Sequence, residues 1–347
     1  MTKEAFSEIK EILCSDPGVD DALAILVSWE ALTKPAIIAT YGNSSTGQTS
    51  RNLNALHQFH QQNVKNSNDN PLVFTGIADR PLDALLPFET NVEFIHGKLA
   101  MEGVGKWVRP INDKADTLYE ALEKCPQKPL DLFSFGAVTE ILHILNRKSR
   151  LAKNIRSITL MGGAINQHGN TDMHQEANFR LDPPALTDIL VMAEKRHIPI
   201  TIVPLDVTEE PELELTPDRV NSLAQNLRRR DSHHLSAYLL KLLGADSTYS
   251  RFYRSRSDIY DFRPRTPVRK RYQGPPIHDL TALYAQTNPE LFTFETFPIK
   301  VGSDGVIGIG RKHYGITSEV RVATNLADGA SEKYWQITED HLANHYN

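Results

Sequence analysis

Residues 12–24 read ILCSDPGVDDALA, in which a short apolar run precedes three carboxylates and a helical pattern. The run ILC is typical of the end of a buried strand, and Pro17-Gly18 breaks it. A helical pattern follows, with Leu23, Leu26 and Val27 spaced for one face. In an open α/β sheet such a strand-to-helix turn lies at the carboxyl end of the strand, where ligands usually bind.

The three carboxylates of this turn, on Asp16, Asp20 and Asp21, repel one another at close range. No Lys or Arg lies between Glu11 and Lys34 to balance them. Oxygen ligands of this kind suit a hard divalent cation, Ca²⁺ or Mg²⁺. The alternative is helix capping, because acidic side chains also stabilise the first turn of a helix. The whole pattern favours the metal site.

The composition is that of a globular protein and gives little support for a nucleic-acid-binding or membrane protein. The chain has 347 residues, 40% hydrophobic and 23% charged, as expected of a soluble globular protein with a substantial core. Its net charge of −5 gives no general case for binding nucleic acid or an anionic membrane. No apolar run is long enough to cross a bilayer. Cys14 and Cys125 cannot form a disulfide framework and indicate reduced thiols in a cytoplasmic protein.

Apolar runs and helical patterns alternate over the first two thirds of the chain. Strands are predicted at 12–14, 35–41, 71–75, 129–134, 155–161 and 199–203, with helices at 46–62, 118–122, 138–145 and 183–194 between them. This order predicts an α/β fold with an open, mostly parallel sheet and helices on both faces. Later residues predict a helix over 217–245, an irregular segment over 246–276, a helix over 278–286, strands over 297–309 and 319–324, and a closing helix over 331–345.

The hexapeptide at 16–21, DPGVDD, strongly resembles the N-terminal signature of the inosine-uridine-preferring nucleoside hydrolases, usually D-x-D-P-G-x-D-D. Further matches in the family's order extend to about residue 325. The resemblance implies one Rossmann-like domain over 1–347 that uses Ca²⁺ to hydrolyse the N-glycosidic bond of ribonucleosides, for nucleoside salvage. It also implies a homo-oligomer, a dimer or a tetramer.

The resemblance assigns the catalytic and metal-binding roles to five residues. Asp16 would ligate the metal and accept a proton from its bound water. Asp21, Asp279 and the backbone carbonyl of Phe135 would complete the protein ligands. His278, in the sequence Ile277-His278-Asp279, would protonate or orient the leaving base. Without the family, Asp279 and His278 would be interpreted as a helix cap beside an exposed histidine.

The resemblance also assigns a substrate-binding set. Four side chains would hold ribose hydroxyls: Asp20, Asn170, Glu176 and Asn178. Asn43 would lie close to the ribose and His96 close to the base. From the residues alone, Asn43 is a turn residue and His96 a loop histidine. Asp182, before Pro183, is interpreted as a helix N-cap.

Two positions depart from the family pattern. Cys14 stands where the family has the first Asp of its signature, which removes a charge and a hydrogen-bond acceptor near the metal ligands. Phe135, in Ser134-Phe135-Gly136, stands where the family usually has the Thr of P-T-G. A backbone carbonyl ligand does not depend on the side chain, so Phe135 is retained as a predicted ligand.

The segment 246–276 is basic and aromatic. Residues 251–272 hold seven Arg, one Lys and five aromatic residues. We expect a lid-like segment in which Tyr249 or Tyr253 approaches the base. A solvated loop, a subunit contact and a groove for single-stranded nucleic acid are the alternatives, although the overall acidity argues against nucleic acid.

Two other functions remain open from the sequence. A Mg²⁺-dependent phosphohydrolase of the haloacid dehalogenase type needs a nucleophilic Asp two residues before a second Asp, and Cys14 occupies that position. A non-catalytic homologue that binds calcium and nucleoside is the other alternative. The preferred base also stays open among uracil, hypoxanthine and a modified base such as nicotinamide.

Overall fold

The structure is a computed structural model that describes residues 6–66, 71–78, 95–101, 104–125, 128–147, 150–171, 175–255, 259–261, 268–270, 272–303, 305–309 and 318–347. Part of the predicted lid, residues 256–258, 262–267 and 271, lies outside these ranges. No helix in the described part of the chain combines the length and apolarity that crossing a bilayer requires.

The first part of the chain alternates strands with helices. In order these are β1 (Glu11–Ser15), α1 (Val19–Ala31), β2 (Ala36–Ala39), α2 (Thr46–Asn63), β3 (Leu72–Thr75), α3 (Ala115–Glu123), β4 (Leu130–Ser134), α4 (Thr139–Asn146), α5 (Arg150–Lys153), β5 (Ile155–Met161), α6 (Ala177–Leu181), α7 (Pro183–Arg196) and β6 (Ile200–Val203).

The second part is mainly helical until three late strands. It contains α8 (Leu205–Thr208), α9 (Pro217–Arg229), α10 (His233–Leu243), α11 (Thr248–Ser255), β7 (Ile259–Asp261), β8 (Val268–Lys270), α12 (His278–Thr287), β9 (Phe292–Val301), β10 (Ile307–Ile309), β11 (Ser318–Leu326) and α13 (Ala330–His345).

Within the described ranges the main sheet has nine strands in the order β10-β9-β11-β6-β5-β4-β1-β2-β3. The strands from β3 to β6 are parallel, β11 continues the sheet parallel to β6, and β9 and β10 are antiparallel. The order reverses between β1 and β4, which lie side by side with Cys14 opposite Ser134. Such a switch point opens a crevice at the carboxyl ends of its two strands. The predicted α/β fold is confirmed.

Helices cover both faces of the sheet, and the strands alternate between two apolar cores. Leu13 packs into the core that α1, α2, α10 and α12 cover, whereas its neighbours Ile12 and Cys14 pack into the core that α3, α4 and α7 cover. Helix α1 is buried over most of its length because it lies between the sheet, α12 and α13. Its first turn is therefore held rigidly at the switch point.

Three predicted elements differ from the structure. The single helix expected over 217–245 is two helices, because Asp231 adopts a left-handed conformation (φ 65°) between α9 and α10. The segment 246–276 is not simply irregular, since it contains α11 and the antiparallel pair β7 and β8. The late strand expected over 297–309 is two strands, β9 and β10, joined by a turn in which Gly305 has φ 85°.

Candidate active site

A cavity opens at the carboxyl ends of β1, β4 and β5. Every predicted site residue except Asp16 lines it: Asp20, Asp21, Asn43, His96, Phe135, Asn170, Glu176, Asn178, His278 and Asp279. These residues come from seven separate parts of the chain, and the sheet brings them to one edge. No Lys or Arg is present among the described lining residues.

Three carboxylates form the floor of the cavity. Asp20, Asp21 and Asp279 each place one oxygen within 4.8 Å of the others, and all three side chains are buried. Asp20 and Asp21 belong to the first turn of α1, and Asp279 belongs to the first turn of α12. The packing of α12 against α1 therefore creates the cluster. The sequence placed Asp20 with the sugar and Asp16 with the metal, and these separate roles stay predictions.

Asp21 is oriented by three hydrogen bonds. The hydroxyl of Ser15 donates to Oδ1 at 2.5 Å, and the backbone N–H of Gly18 donates to Oδ2 at 2.9 Å. The side-chain amide of Asn43 also donates to Oδ2, at 3.1 Å. The predicted turn residue Asn43 therefore links β2 to the carboxylate cluster. Ser15 was not singled out from the sequence, although its position one residue before the signature places it on the same strand end.

Asp16 lies beside this cluster, packed against two glycines. A Cβ atom on Gly42 would lie 1.9 Å from Asp16 Oδ2, and one on Gly136 would lie 2.3 Å from Oδ1. The backbone N–H of Asn43 donates to Oδ2 at 2.5 Å, whereas Oδ1 is buried and has no hydrogen-bond partner among the described residues. Glycine at 42 and 136 is thus required by the close approach of the carboxylate.

Among the described residues that line the cavity, no positive side chain balances the carboxylates. Burial, with the charge of Asp21, raises the pKa of Asp20 to about 8. Burial also raises the pKa values of Asp16, Asp21 and Asp279, and the neighbouring aspartates add to the rise at Asp16 and Asp279. Like charges in a buried site favour protonation, and a bound cation reverses that preference. This donor set, with Oδ1 of both Asp16 and Asp20 lacking hydrogen bonds among the described residues, fits a hard divalent cation.

The predicted carbonyl ligand also reaches the site. Phe135 follows β4, its ring is buried, and its backbone N–H donates to the carbonyl of Cys14 at 2.8 Å. The side-chain amide of Asn178 donates to the Phe135 carbonyl at 2.8 Å. The predicted ligand and the predicted ribose-binding side chain are therefore in direct contact.

The sugar-binding candidates are held by the loop after β5. Glu176 caps α6, and its carboxylate accepts N–H groups of Asn178, Phe179 and Gly163 at 2.8, 3.1 and 2.9 Å. The side-chain oxygen Oδ1 of Asn170 accepts the N–H of Ala177 at 2.9 Å, and Asn170 lines the cavity. These contacts orient Glu176 and Asn170 at the cavity wall.

His96 is held as a neutral ring. Its Nδ1 accepts the backbone N–H of Val19 at 3.1 Å, so the ring proton resides on Nε2. Burial, with a smaller contribution from His278, lowers the pKa of His96 to about 3. Asp20 Oδ1 lies 3.7 Å from Nδ1. His96 can therefore donate a hydrogen bond but is not suited to deliver a proton at neutral pH.

His278 has a different environment. Its Nδ1 lies 2.7 Å from the hydroxyl oxygen of Thr208, which belongs to α8 and is fully buried. Helix α8 also supports the sugar side, because the carboxylate of Asp206 accepts the N–H groups of Ile165 and Asn166 at 2.8 and 2.7 Å. Neither Thr208 nor Asp206 was singled out from the sequence. The sequence signal that could have identified them is a motif directly after a buried strand, Leu205-Asp206-Val207-Thr208.

Two tyrosines of α11 close one side of the cavity. Both Tyr249 and Tyr253 line it, and their rings lie 5.1 Å apart. The Tyr249 ring also lies 5.0 Å from the His96 ring at an interplanar angle of 30°. The Tyr249 hydroxyl donates to the carbonyl of Pro276 at 3.2 Å. Both tyrosines are well placed to contact a planar group bound beside His96.

Cys14, which stands where the family has an Asp, does not belong to the cavity lining. Cys14 is fully buried in the core that contains Leu132, Ile141 and Leu160. Burial and the nearby Glu140 raise the pKa of its thiol, which therefore stays protonated. A neutral group at this point is compatible with the surrounding apolar packing.

The chain is similar to known proteins over most of its length. Residues 12–336 match the family model described as inosine-uridine preferring nucleoside hydrolase. Non-specific ribonucleoside hydrolase RihC from Salmonella paratyphi A is 32% identical over 301 residues, which cover 85% of this chain and 84% of the relative. RihC from Salmonella newport is 31% identical over the same length.

Solved structures share the fold. A plant nucleoside hydrolase, PpNRh1, superposes with a TM-score of 0.73 at 21% identity, covering 96% of this chain and 99% of that chain. A purine-preferring ribonucleoside hydrolase from Gardnerella vaginalis gives a TM-score of 0.72 at 22% identity with the same coverage. With the family match over nearly the whole length, the chain belongs to the inosine-uridine preferring nucleoside hydrolase family, whose members are enzymes acting on N-glycosyl bonds.

Proposed function

We propose that this protein hydrolyses the N-glycosidic bond of ribonucleosides of the uridine or inosine type in a Ca²⁺-dependent reaction that serves nucleoside salvage. One observation carries the proposal. Three buried carboxylates, those of Asp20, Asp21 and Asp279, lie beside two histidines in a pocket whose described lining residues include no Lys or Arg to balance them, and the buried Asp16 lies next to the cluster. Acidic groups, imidazoles and amides together suit a sugar, a water molecule and a leaving base.

The anionic floor favours the charge that develops in the reaction. N-glycosidic cleavage, like O-glycoside hydrolysis, proceeds through an oxocarbenium-like state with positive charge on the sugar. A calcium ion held by Asp16, Asp21, Asp279 and the Phe135 carbonyl would supply a bound water of lowered pKa. Asp16, whose Oδ1 has no hydrogen-bond partner among the described residues, would be the group that accepts a proton from the attacking water.

The two histidines have separate tasks. His278 gives a proton to the departing base, so that the base leaves without negative charge. His96 stays neutral and donates a hydrogen bond from Nε2, since its Nδ1 accepts the N–H of Val19. Tyr249 and Tyr253 contact the base from the same side as His96. We propose that their segment, about 246–276, is the lid of the site.

The sugar is held by groups with complementary hydrogen-bonding capacity. Asp20 and Glu176 accept from ribose hydroxyls, and the amides of Asn170, Asn178 and Asn43 donate to or accept from them. Binding that is strongest for the distorted sugar lowers the barrier to cleavage. We also propose that the protein is cytoplasmic and that its single-domain subunits form a homo-oligomer, either a dimer or a tetramer.

The decisive experiment measures ribose release. The purified protein is incubated with Ca²⁺ and a panel of purine, pyrimidine and nicotinamide ribosides, and reducing sugar is assayed. We expect wild-type protein to release ribose and Asp16→Ala to lose at least about 1,000-fold in kcat/KM, because both the base and a metal ligand are removed.

Asp116→Ala is the matched control. Asp116 is an exposed aspartate that pairs with Arg147 at 3.0 Å, and its removal leaves activity unchanged. Absence of ribose from every riboside, with calcium shown to bind, would contradict the proposal and favour the non-catalytic homologue.

A further inference from the structure

We infer that Asp206 is a positioning residue for sugar recognition, an inference that rests on the proposed hydrolysis of ribonucleosides. Its carboxylate fixes the backbone of the loop after β5, and this loop carries Asn170 to the cavity wall. The observation is a pair of hydrogen bonds, in which the N–H of Ile165 donates to Asp206 Oδ2 at 2.8 Å and the N–H of Asn166 donates to Oδ1 at 2.7 Å. Asp206 itself does not line the cavity.

The direction of both hydrogen bonds is fixed by their chemistry, because a backbone N–H can only donate and a carboxylate oxygen accepts. Each oxygen of Asp206 takes one of two consecutive N–H groups of the loop. Asp206 is only 4% exposed, and hydrogen bonds to a carboxylate are stronger than those between neutral groups. A single buried side chain therefore fixes two consecutive peptide groups.

Neighbouring residues of Asp206 hold the same loop. Helix α8 begins shortly after β6, and the N–H of Leu205 donates to the carbonyl of Gly163 at 2.9 Å. Directly after α8, the carboxylate of Glu209 accepts the side-chain amide of Gln167 at 3.1 Å. The loop is thus attached to α8 and its flanks at residues 163, 165, 166 and 167, with Asp206 at the centre of this attachment.

The other side of Asn170 is held by the residues before α6. Asn170 Oδ1 accepts the N–H of Ala177 at 2.9 Å, and the hydroxyl of Thr171 donates to the carbonyl of Gln175 at 2.8 Å. A Cβ atom on Gly169 would lie 1.9 Å from that same carbonyl, so the two backbone segments are in close contact. Asn170 therefore lies between two attachments, and loss of Asp206 releases the loop on its β5 side.

This position of Asp206 gives it an effect on the sugar without contact to the sugar. Asn170 lines the cavity and, in the proposed function, forms a hydrogen bond with a ribose hydroxyl. A misplacement of about 1 Å caused by a change remote from the chemistry can cost about 100-fold in rate. Asp206 therefore acts through the placement of Asn170.

A double-mutant cycle separates this positioning from a general loss of structure. Asp206→Asn keeps the shape of the side chain, but its amide nitrogen cannot accept a backbone N–H. The change is made in wild type and in Asn170→Ala, and kcat/KM for a ribonucleoside is measured for all four proteins with Ca²⁺ present. Asp131→Asn is the matched control in both backgrounds, since Asp131 is equally buried but lies at the amino end of the sheet.

We expect Asp206→Asn to lower kcat/KM about 10- to 100-fold in the wild-type background and no more than about threefold in the Asn170→Ala background. Asp131→Asn changes kcat/KM by no more than about twofold in either background. Equal fold losses from Asp206→Asn in the two backgrounds would overturn the inference, as would an unchanged kcat/KM in either single variant, Asp206→Asn or Asn170→Ala.

A milder variant covers the case in which Asp206→Asn does not fold. Gln167→Ala removes a half-buried side chain that attaches the same loop to Glu209. In the same cycle we expect a loss of about 3- to 10-fold in the wild-type background and little further loss in Asn170→Ala. An additive loss would again overturn the inference.

A second readout does not depend on turnover. Amide hydrogen exchange, measured by NMR, reports the protection of the N–H groups of Ile165 and Asn166. We expect both to be protected in wild type, and at least one of them to exchange about 10-fold faster or more in Asp206→Asn. Rapid exchange of both amides in wild type would overturn the inference. Failure of wild type to release ribose, with this protection present and dependent on Asp206, would instead contradict the proposed function.

Discussion

The two ends of the central sheet both bury carboxylates, but within the described residues a positive side chain pairs with them at the amino end and none lines the cavity at the carboxyl end. At the amino end, Asp131 of β4 accepts the Nε–H of Arg156 at 2.8 Å and the hydroxyl of Ser157 at 2.6 Å. At the carboxyl end, Asp16, Asp20, Asp21 and Asp279 have no Arg or Lys among the described residues that line the cavity.

This difference separates a structural acidic site from a functional one. Buried charges persist in proteins when they are paired or when they bind a metal. Asp131 is paired, so its charge needs no ligand. The cluster at the carboxyl end has raised pKa values and two oxygens, Oδ1 of Asp16 and of Asp20, without hydrogen-bond partners among the described residues, and an external cation would remove both features. Burial without a paired positive charge, rather than the number of carboxylates, is therefore the feature on which the proposed active site rests.

The strongest test of this comparison makes the same isosteric change at each end. Asp279→Asn removes one charge from the cluster, and we expect kcat/KM for nucleosides to fall at least about 1,000-fold because the cation and its water are no longer held. Asp131→Asn changes activity by no more than about twofold, since it lies at the opposite end. Steady-state ribose release measures the activity of both variants. Similar losses of kcat/KM in the two variants would contradict the distinction between the two ends of the sheet.

Cation removal tests the comparison through stability. We expect wild type treated with a chelator to unfold at a lower temperature, and added Ca²⁺ to restore it. At a free concentration of 100 times Kd the stabilisation is about 2.7 kcal/mol. Asp279→Asn should show a smaller calcium-dependent shift, and Asp131→Asn the wild-type shift. Differential scanning calorimetry measures the transitions, and a calcium-independent transition in wild type would contradict the metal site.

The amino end has one carboxylate with a raised pKa, Glu11, although the nearby charges of Lys10 and Arg156 oppose the rise. Burial, with the charge of Asp131, raises the pKa of Glu11 to about 7, above its ordinary value of 4.5. The unfolded chain therefore loses this proton at lower pH than the folded chain, so the free energy of unfolding falls as pH rises from 4.5 to 7.

Glu11→Gln removes that dependence. We expect the variant to be more stable than wild type by roughly 1–2 kcal/mol at pH 8, a value reduced for partial solvent access, and the difference to vanish below about pH 4.5. Urea unfolding at the two pH values measures it. A stability difference that does not change between the two conditions would show that the pKa of Glu11 is the same in the folded and the unfolded chain.

Much of the site was readable from local sequence. The signature at 16–21 placed Asp16, Asp20 and Asp21 on one strand-to-helix turn, and the structure has that turn between β1 and α1. Asp182 was predicted as an N-cap, and its carboxylate accepts the N–H of Ala185 at 3.1 Å. Both features depend on residues within a few positions of one another, so the sequence pattern is sufficient.

Contacts between distant segments were not readable in this way. The bond between Thr208 and His278 joins residues 70 positions apart, and the support of Asp21 by Asn43 joins residues 22 apart. The break between α9 and α10 was also missed, because a left-handed Asp231 has no strong local signal in a helical pattern.

The sequence by itself determined the alternation of strands and helices, the family, and the identity of the groups available for chemistry. Apolar periodicity and turn residues carry that information because they reflect local conformational preference and burial. Only the tertiary structure decided which carboxylates lack a positive partner and which hydroxyl holds His278. Those properties arise from the parallel sheet, whose strand ends bring distant segments within hydrogen-bond distance and exclude water from the charges between them.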